Sequence, residues 1–115
     1  MDKENNWETL FEVELDRAVN ARLAGNEGMA RVCARRAAGI TVGAYLEDNN
    51  LPDLRPNAYD RLRYLAQLQD IPEDVKAVAA HFLVRITPEK KLPIEADLIA
   101  EARWLSNWLH PGQIE

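Results

Sequence analysis

The 115-residue sequence contains one cysteine, one serine and two histidines. A single thiol cannot close an internal disulfide or build a multi-thiolate metal site. It fits a reducing compartment, so a cytoplasmic setting is expected. Cys33 lies beside Val32 in an apolar stretch, where thiols are inert packing residues, and no family signature pairs it with His81 or His110. Ser106 alone leaves little room for a serine hydrolase. The two histidines are far apart, and neither has metal-ligand spacing to a second histidine or a carboxylate pair, so no metal and no cofactor are expected. His81, between Ala80 and Phe82, is expected at the core or its boundary. The five glycines match neither a Walker loop nor a dinucleotide fingerprint. No apolar run approaches the roughly 20 residues of a bilayer span. The start, Met1-Asp2-Lys3-Glu4-Asn5-Asn6, is acidic and polar, the opposite of a secretory signal.

What is present is ordinary for a globular domain: 47% hydrophobic and 29% charged residues, with net charge −5. One domain over residues 1–115, with a core of about 7–109, has the length to bury its own apolar surface. The long-range field has the wrong sign for non-specific binding to a phosphate backbone or an anionic bilayer, so neither nucleic acid of that kind nor a membrane is an expected partner. A local basic pocket remains open. Ten of the fourteen basic residues are arginine, and Arg31, Arg35 and Arg36 fall within six positions. Arginine favours bidentate pairing with carboxylate or phosphate. The surplus of acids predicts that these three pair within the chain; the alternative is a site for an anion or nucleotide.

Strand patterns are nearly absent, and helical periodicity runs end to end. Asn6 can cap a first helix whose apolar stripe is Trp7, Leu10, Phe11, Leu15, Ala18, Val19 and Leu23. Gly25 ends it, and a second helix follows over about Glu27–Glu47, antiparallel to the first because the turn is short. From Ala37 to Leu46 that helix carries no charge, which predicts either the centre of a bundle or a subunit interface. Gly39 and Gly43, one turn apart, remove side chains where a neighbouring backbone can approach. A turn-rich segment, Asp48 to Pro56, leads to a short third helix capped by Asn57 and running to about Leu68, with Tyr59, Leu62, Leu65 and Ala66 inward. A fourth helix opens with Pro72 in the first helical position and buries Val75, Val78, Ala79, Phe82 and Ile86. The Thr87–Pro93 segment has no helical pattern. A fifth helix, from about Ile94 to Leu109, begins with Glu95, Asp97 and Glu101 and buries Leu98, Ala102, Leu105 and Leu109. Trp104 and Trp108 border that stripe, as core rim or as anchors for a second subunit. Among the i,i+4 charge neighbours Glu12–Asp16, Glu27–Arg31 and Asp97–Glu101, only Glu27–Arg31 is attractive. The expected fold is an all-α five-helix bundle, an up-down four-helix core plus a short extra helix.

The order of elements resembles the HEPN superfamily, small helical bundles of prokaryotes and of larger eukaryotic proteins. The resemblance covers roughly Trp7 to Leu109. It rests on the amphipathic first helix, the Gly-containing turn, the Ala-rich central helix from Met29 to Ala38, the Pro-bounded third and fourth helices, and the acidic start of the last. It implies a homodimer, often beside a nucleotidyltransferase or antitoxin-like partner. A subset of the superfamily are metal-independent ribonucleases with an Arg followed after four to six residues by a His. Arg103 and His110 have that spacing, although Trp104 stands where the active members have a polar residue. On this resemblance His110 would be the acid–base group and Arg103 would stabilise phosphate charge. The leading expectation is a non-catalytic, HEPN-like dimeric interaction or regulatory module, its interface formed by Gly39 and Gly43 or by Trp104 and Trp108. The alternatives are the Arg103/His110 ribonuclease or toxin, and a nucleotide- or anion-binding module using Arg31, Arg35 and Arg36.

Overall fold

The computed structural model describes residues 6–51, 57–84 and 96–112. They form five helices and no strand: α1 (Trp7–Leu23), α2 (Glu27–Asp48), α3 (Ala58–Gln67), α4 (Glu73–Leu83) and α5 (Leu98–Leu109). The all-α five-helix fold is therefore as expected. The Met1–Asn5 start, the stretch from Pro52 to Pro56, Ile86, the Thr87–Pro93 segment and the expected opening of the last helix at Ile94 and Glu95 lie outside the described residues. No described helix is long and apolar enough to cross a membrane.

Local chemistry sets the helix ends. The Asn6 side chain accepts a hydrogen bond from the Thr9 amide at 3.0 Å and caps α1. At its other end Gly25, at φ +84°, donates to the Arg22 carbonyl, and Asn26 donates to the Ala21 carbonyl at 2.8 Å. These two bonds make a Schellman close, for which a residue without a side chain is best suited. Asn26 then caps α2 through the Met29 amide at 3.1 Å. One residue thus ends one helix and starts the next, which folds α2 back along α1. Asn57 and Asp97 cap α3 and α5 in the same way. Pro72 stands one position earlier than expected: it is the N-cap of α4, in extended conformation, and its carbonyl accepts from Lys76.

α2 is the central helix. Eleven of its residues are buried, eight of them between Ala37 and Leu46, beneath α1, α3 and α5. The uncharged stretch is therefore covered within the chain, and it supplies no argument for a second copy. Around it the core gathers Phe11 and Leu15 from α1, Leu62 and Leu65 from α3, Val75 and Phe82 from α4, and Leu98 and Leu105 from α5. The α1 stripe is narrower than periodicity predicts. Phe11, Leu15 and Ala18 are buried, whereas Leu10, Val19 and Leu23 are exposed, Leu23 by 79%. Tyr59, expected inward, is also exposed. Both departures have one cause: α1 and α3 lie at the outside of the bundle, α1 packed chiefly on α2 and α3 on α2 and α4, so residues flanking their stripes face outward.

A candidate anion-binding cleft between the second and third helices

The approach of α3 to α2 depends on the two α2 glycines. A Cβ on Gly39 would lie 2.6 Å from the Cα of Ala58, so only glycine permits that contact. One turn on, the Arg61 guanidinium lies against Gly43, where an added Cβ would come within 2.7 Å of it. Its Nη1 donates to the Gly39 carbonyl at 3.2 Å. Both glycines thus serve a contact inside the chain rather than the subunit interface expected of them.

Beside this contact lies a cleft of about 580 Å³, within the size range of small-molecule sites. Glu14 of α1 forms one wall; Val32, Arg35, Arg36 and Ile40 of α2 form another. Asn57, Tyr59 and Arg61 at the start of α3 complete it. Arg35 is fixed by its Nε, which donates to the Phe82 carbonyl at 3.0 Å. That bond leaves the forked end of the guanidinium with no acceptor among the described residues. Arg36 is exposed and has neither hydrogen bond nor ion pair among them. Arg31 is engaged elsewhere, 3.8 Å from Glu27, as the i,i+4 spacing predicts. Glu27 has a closer partner in Arg22, which also binds Asp97 at 3.0 Å and so ties α1 to the α2 and α5 starts. The arginine cluster is therefore divided: Arg31 pairs within the chain, and Arg35 and Arg36 line the cleft.

Glu14 carries the other unusual group. Arg17 holds its Oε2 at 3.1 Å, while its Oε1 is buried without any hydrogen-bond partner. It is the one such side-chain atom among the described residues. A buried carboxylate oxygen with no donor costs about 1–3 kcal/mol or more.

Arg103 and His110 lie away from this cleft. Arg103 makes a two-pronged ion pair with Glu12 of α1 and sits over the Phe11 ring, 5.7 Å from its centroid. The Glu12 hydrogen bond raises its pKa further above the usual arginine value. His110 is only 6% exposed. Its Nε2 donates to the Thr41 carbonyl at 2.9 Å, and its ring stacks on Trp7 with centroids 4.2 Å apart. The spacing that matched a ribonuclease pair thus places two residues that tie α5 to α1 and α2. His81 is a boundary residue, its Nδ1 2.7 Å from Glu101. Cys33 is buried. Among the described residues, no three His, Cys, Asp or Glu side chains are grouped to hold a metal ion. Trp104 and Trp108 are 40% and 37% exposed, and Trp108 lies 6.5 Å from Tyr45.

Arg61 and Glu14 join the cleft without having been singled out from sequence, and Tyr59, expected in the core, lines it instead. The available signal was the Gly39/Gly43 pair, which marks a close approach but does not name the helix that makes it. Comparison with family models, with curated proteins and with solved structures finds no match to this chain.

Proposed function

We propose that this chain is a non-catalytic helical module that binds an anionic group in the α2–α3 cleft. One observation carries the reading. In a protein with five more acids than bases, two arginines side by side on α2 have no acidic partner among the described residues, and both line one cleft. Uncompensated guanidinium groups are an anion's natural counterpart, and the Nε bond of Arg35 holds one of them ready. A ligand-dependent, HEPN-like regulatory module in the cytoplasm, beside a nucleotidyltransferase or antitoxin-like partner, is the setting in which such a site would act. The ribonuclease reading draws no comparable support, because the His110 Nε2 and the Arg103 fork are already engaged by Thr41 and Glu12.

The test is titration with pyrophosphate, followed by thermal unfolding. At a hundredfold excess over Kd a ligand stabilises the folded state by about 2.7 kcal/mol. The expected result is a rise in Tm that Arg36→Ala abolishes while leaving the unliganded Tm nearly unchanged, since Arg36 is exposed and makes no hydrogen bond or ion pair among the described residues. A flat Tm overturns the reading.

Trp104 and Trp108, half-exposed one turn apart, support a second reading, that the α5 edge seats a second copy. Sedimentation equilibrium tests it: a dimer that Trp104→Glu dissociates is expected, and a monomer at every concentration overturns it.

A further inference from the structure

On the reading that this cleft binds an anionic group, we infer that the group is a carboxylate presented by an acidic amphipathic helix of a partner protein. Shape comes first. α1 and α3 each pack on α2, and the cleft lies between them with α2 as its floor. That floor is a row of Val32, Arg36 and Ile40 at i, i+4 and i+8, and none of the three is fully buried. Such a row is the ridge against which a further helix packs. Anchors at that spacing are how an amphipathic helix is seated in a groove.

Chemistry then selects the helix. Arg36 stands between apolar residues one turn away on either side, so its complement is an acid between two apolar side chains. Arg35 and Arg61 add two more guanidinium groups to the cleft, Arg61 while donating to the Gly39 carbonyl. The one acid in the lining, Glu14, is paired with Arg17. An acidic partner meets that surplus of positive charge, and a basic one is repelled. The walls carry apolar surface that a small anion leaves in water. Leu10, one turn before Glu14 on the same face of α1, is 50% exposed, and Tyr59 on the α3 side is 42% exposed. A phosphate would satisfy the arginines alone. Covering Val32, Ile40, Leu10 and Tyr59 as well takes a ligand that is long and apolar along one side.

Selection of binders to the full chain from a displayed library of random peptides, each long enough for several helical turns, tests the inference. The enriched sequences are expected to share apolar residues at i, i+4 and i+7 with an Asp or Glu on the same face. They should gain helicity by circular dichroism on binding. Arg36→Ala should weaken them roughly tenfold or more, the span of one hydrogen bond to a charged group. Leu10→Ala should weaken them by a smaller factor. Charge exchange is the sharper readout. A selected peptide with its acid changed to lysine should lose binding to the wild-type chain and regain it with Arg36→Glu. Arg36 is exposed, and the melting curve of each variant reports that it has folded. Binders without helical period or without an acid, binders indifferent to Arg36→Ala, or no binder at all overturn the helix inference. If pyrophosphate still raises Tm, the anion site stands; if it does not, both fall. Self-association of the free chain that Arg36→Ala abolishes also overturns the inference, since a second copy then fills the groove.

Discussion

Gly39 of α2 and Ala58 of α3 meet backbone to backbone: a Cβ on the glycine would lie 2.6 Å from the alanine Cα. This contact brings the start of α3, with Tyr59 and Arg61, onto the cleft wall formed by Arg35 and Arg36. The cleft is thus a consequence of helix packing that small residues permit.

The α2 glycines should accordingly respond to alanine in a fixed order. Gly39→Ala gains roughly 1 kcal/mol of helix propensity but must displace backbone, an overpacking cost of about 1–3 kcal/mol. It is expected to lower Tm by several degrees and to weaken anion binding by moving α3. At Gly43 the obstacle is the flexible Arg61 guanidinium, so the net change should be smaller. Gly28 has only the Asn26 Oδ1 nearby, at 3.8 Å, and alanine there should stabilise by about 0.5–1 kcal/mol. Thermal denaturation of the three variants checks the order. A Gly39→Ala protein as stable as wild type would contradict the packing argument.

The Arg22 network makes a pH prediction. Hydrogen bonding to Arg22 holds the Glu27 carboxyl below its usual pKa of 4.5. For Asp97 burial acts to raise the pKa, but the hydrogen bonds from Arg22 and the Ala100 amide outweigh it and leave the group below 3.8. A carboxyl whose pKa is lower when folded contributes stability above its unfolded pKa and loses it as pH falls through the folded value. The groups are substantially exposed, so each pair is worth only about 0.2–1 kcal/mol. Urea unfolding should show Arg22→Ala less stable than wild type by that order at pH 7. The gap should shrink as pH drops below about 4, and high salt should shrink it too. A gap independent of pH would assign the role of Arg22 to its aliphatic stem.

How much of this was legible in advance differs by level. Helix number and most boundaries were, because Asn6, Asn57 and Gly25 act on their own neighbours through bonds a few residues long. The burial of α2 followed from a run without charge. The outward faces of Leu10 and Tyr59 were not legible, since periodicity gives the direction of a stripe and not the width that neighbours cover. The cleft joins Glu14, Arg36 and Arg61 from three helices, and no local pattern encodes such a meeting. The Arg103–His110 spacing shows the converse: two residues at a functional interval can each be claimed by a different structural partner.

His110 is one of those claims, and its removal should be felt in stability. His110→Ala leaves a void beneath Trp7 and takes away the N–H donated to the Thr41 carbonyl. A lost buried hydrogen bond and a partly collapsed cavity together suggest about 2–3 kcal/mol of destabilisation. The Trp7 environment should change with it, visible in tryptophan fluorescence. An unperturbed Tm for His110→Ala would return the histidine to candidacy as a functional group.

Thr41 and Ser106 offer the cleanest measurement of what joins α5 to α2. The Thr41 hydroxyl donates to the Ser106 hydroxyl oxygen at 2.9 Å, and both side chains are fully buried. The net value of such a bond is modest, about 0.5–1.5 kcal/mol, but stranding one partner costs the desolvation of that group, about 1–3 kcal/mol. Thr41→Val leaves the Ser106 oxygen without its donor; Ser106→Ala leaves the Thr41 hydroxyl without its acceptor. Each single variant should therefore lose more than the bond is worth. The double variant, with no polar group stranded, should lose less than the sum of the two. Urea denaturation of all four proteins closes the cycle, and a coupling energy of roughly 1 kcal/mol is expected. Strict additivity would mean that the two hydroxyls find separate partners, and that this bond does not couple α5 to α2.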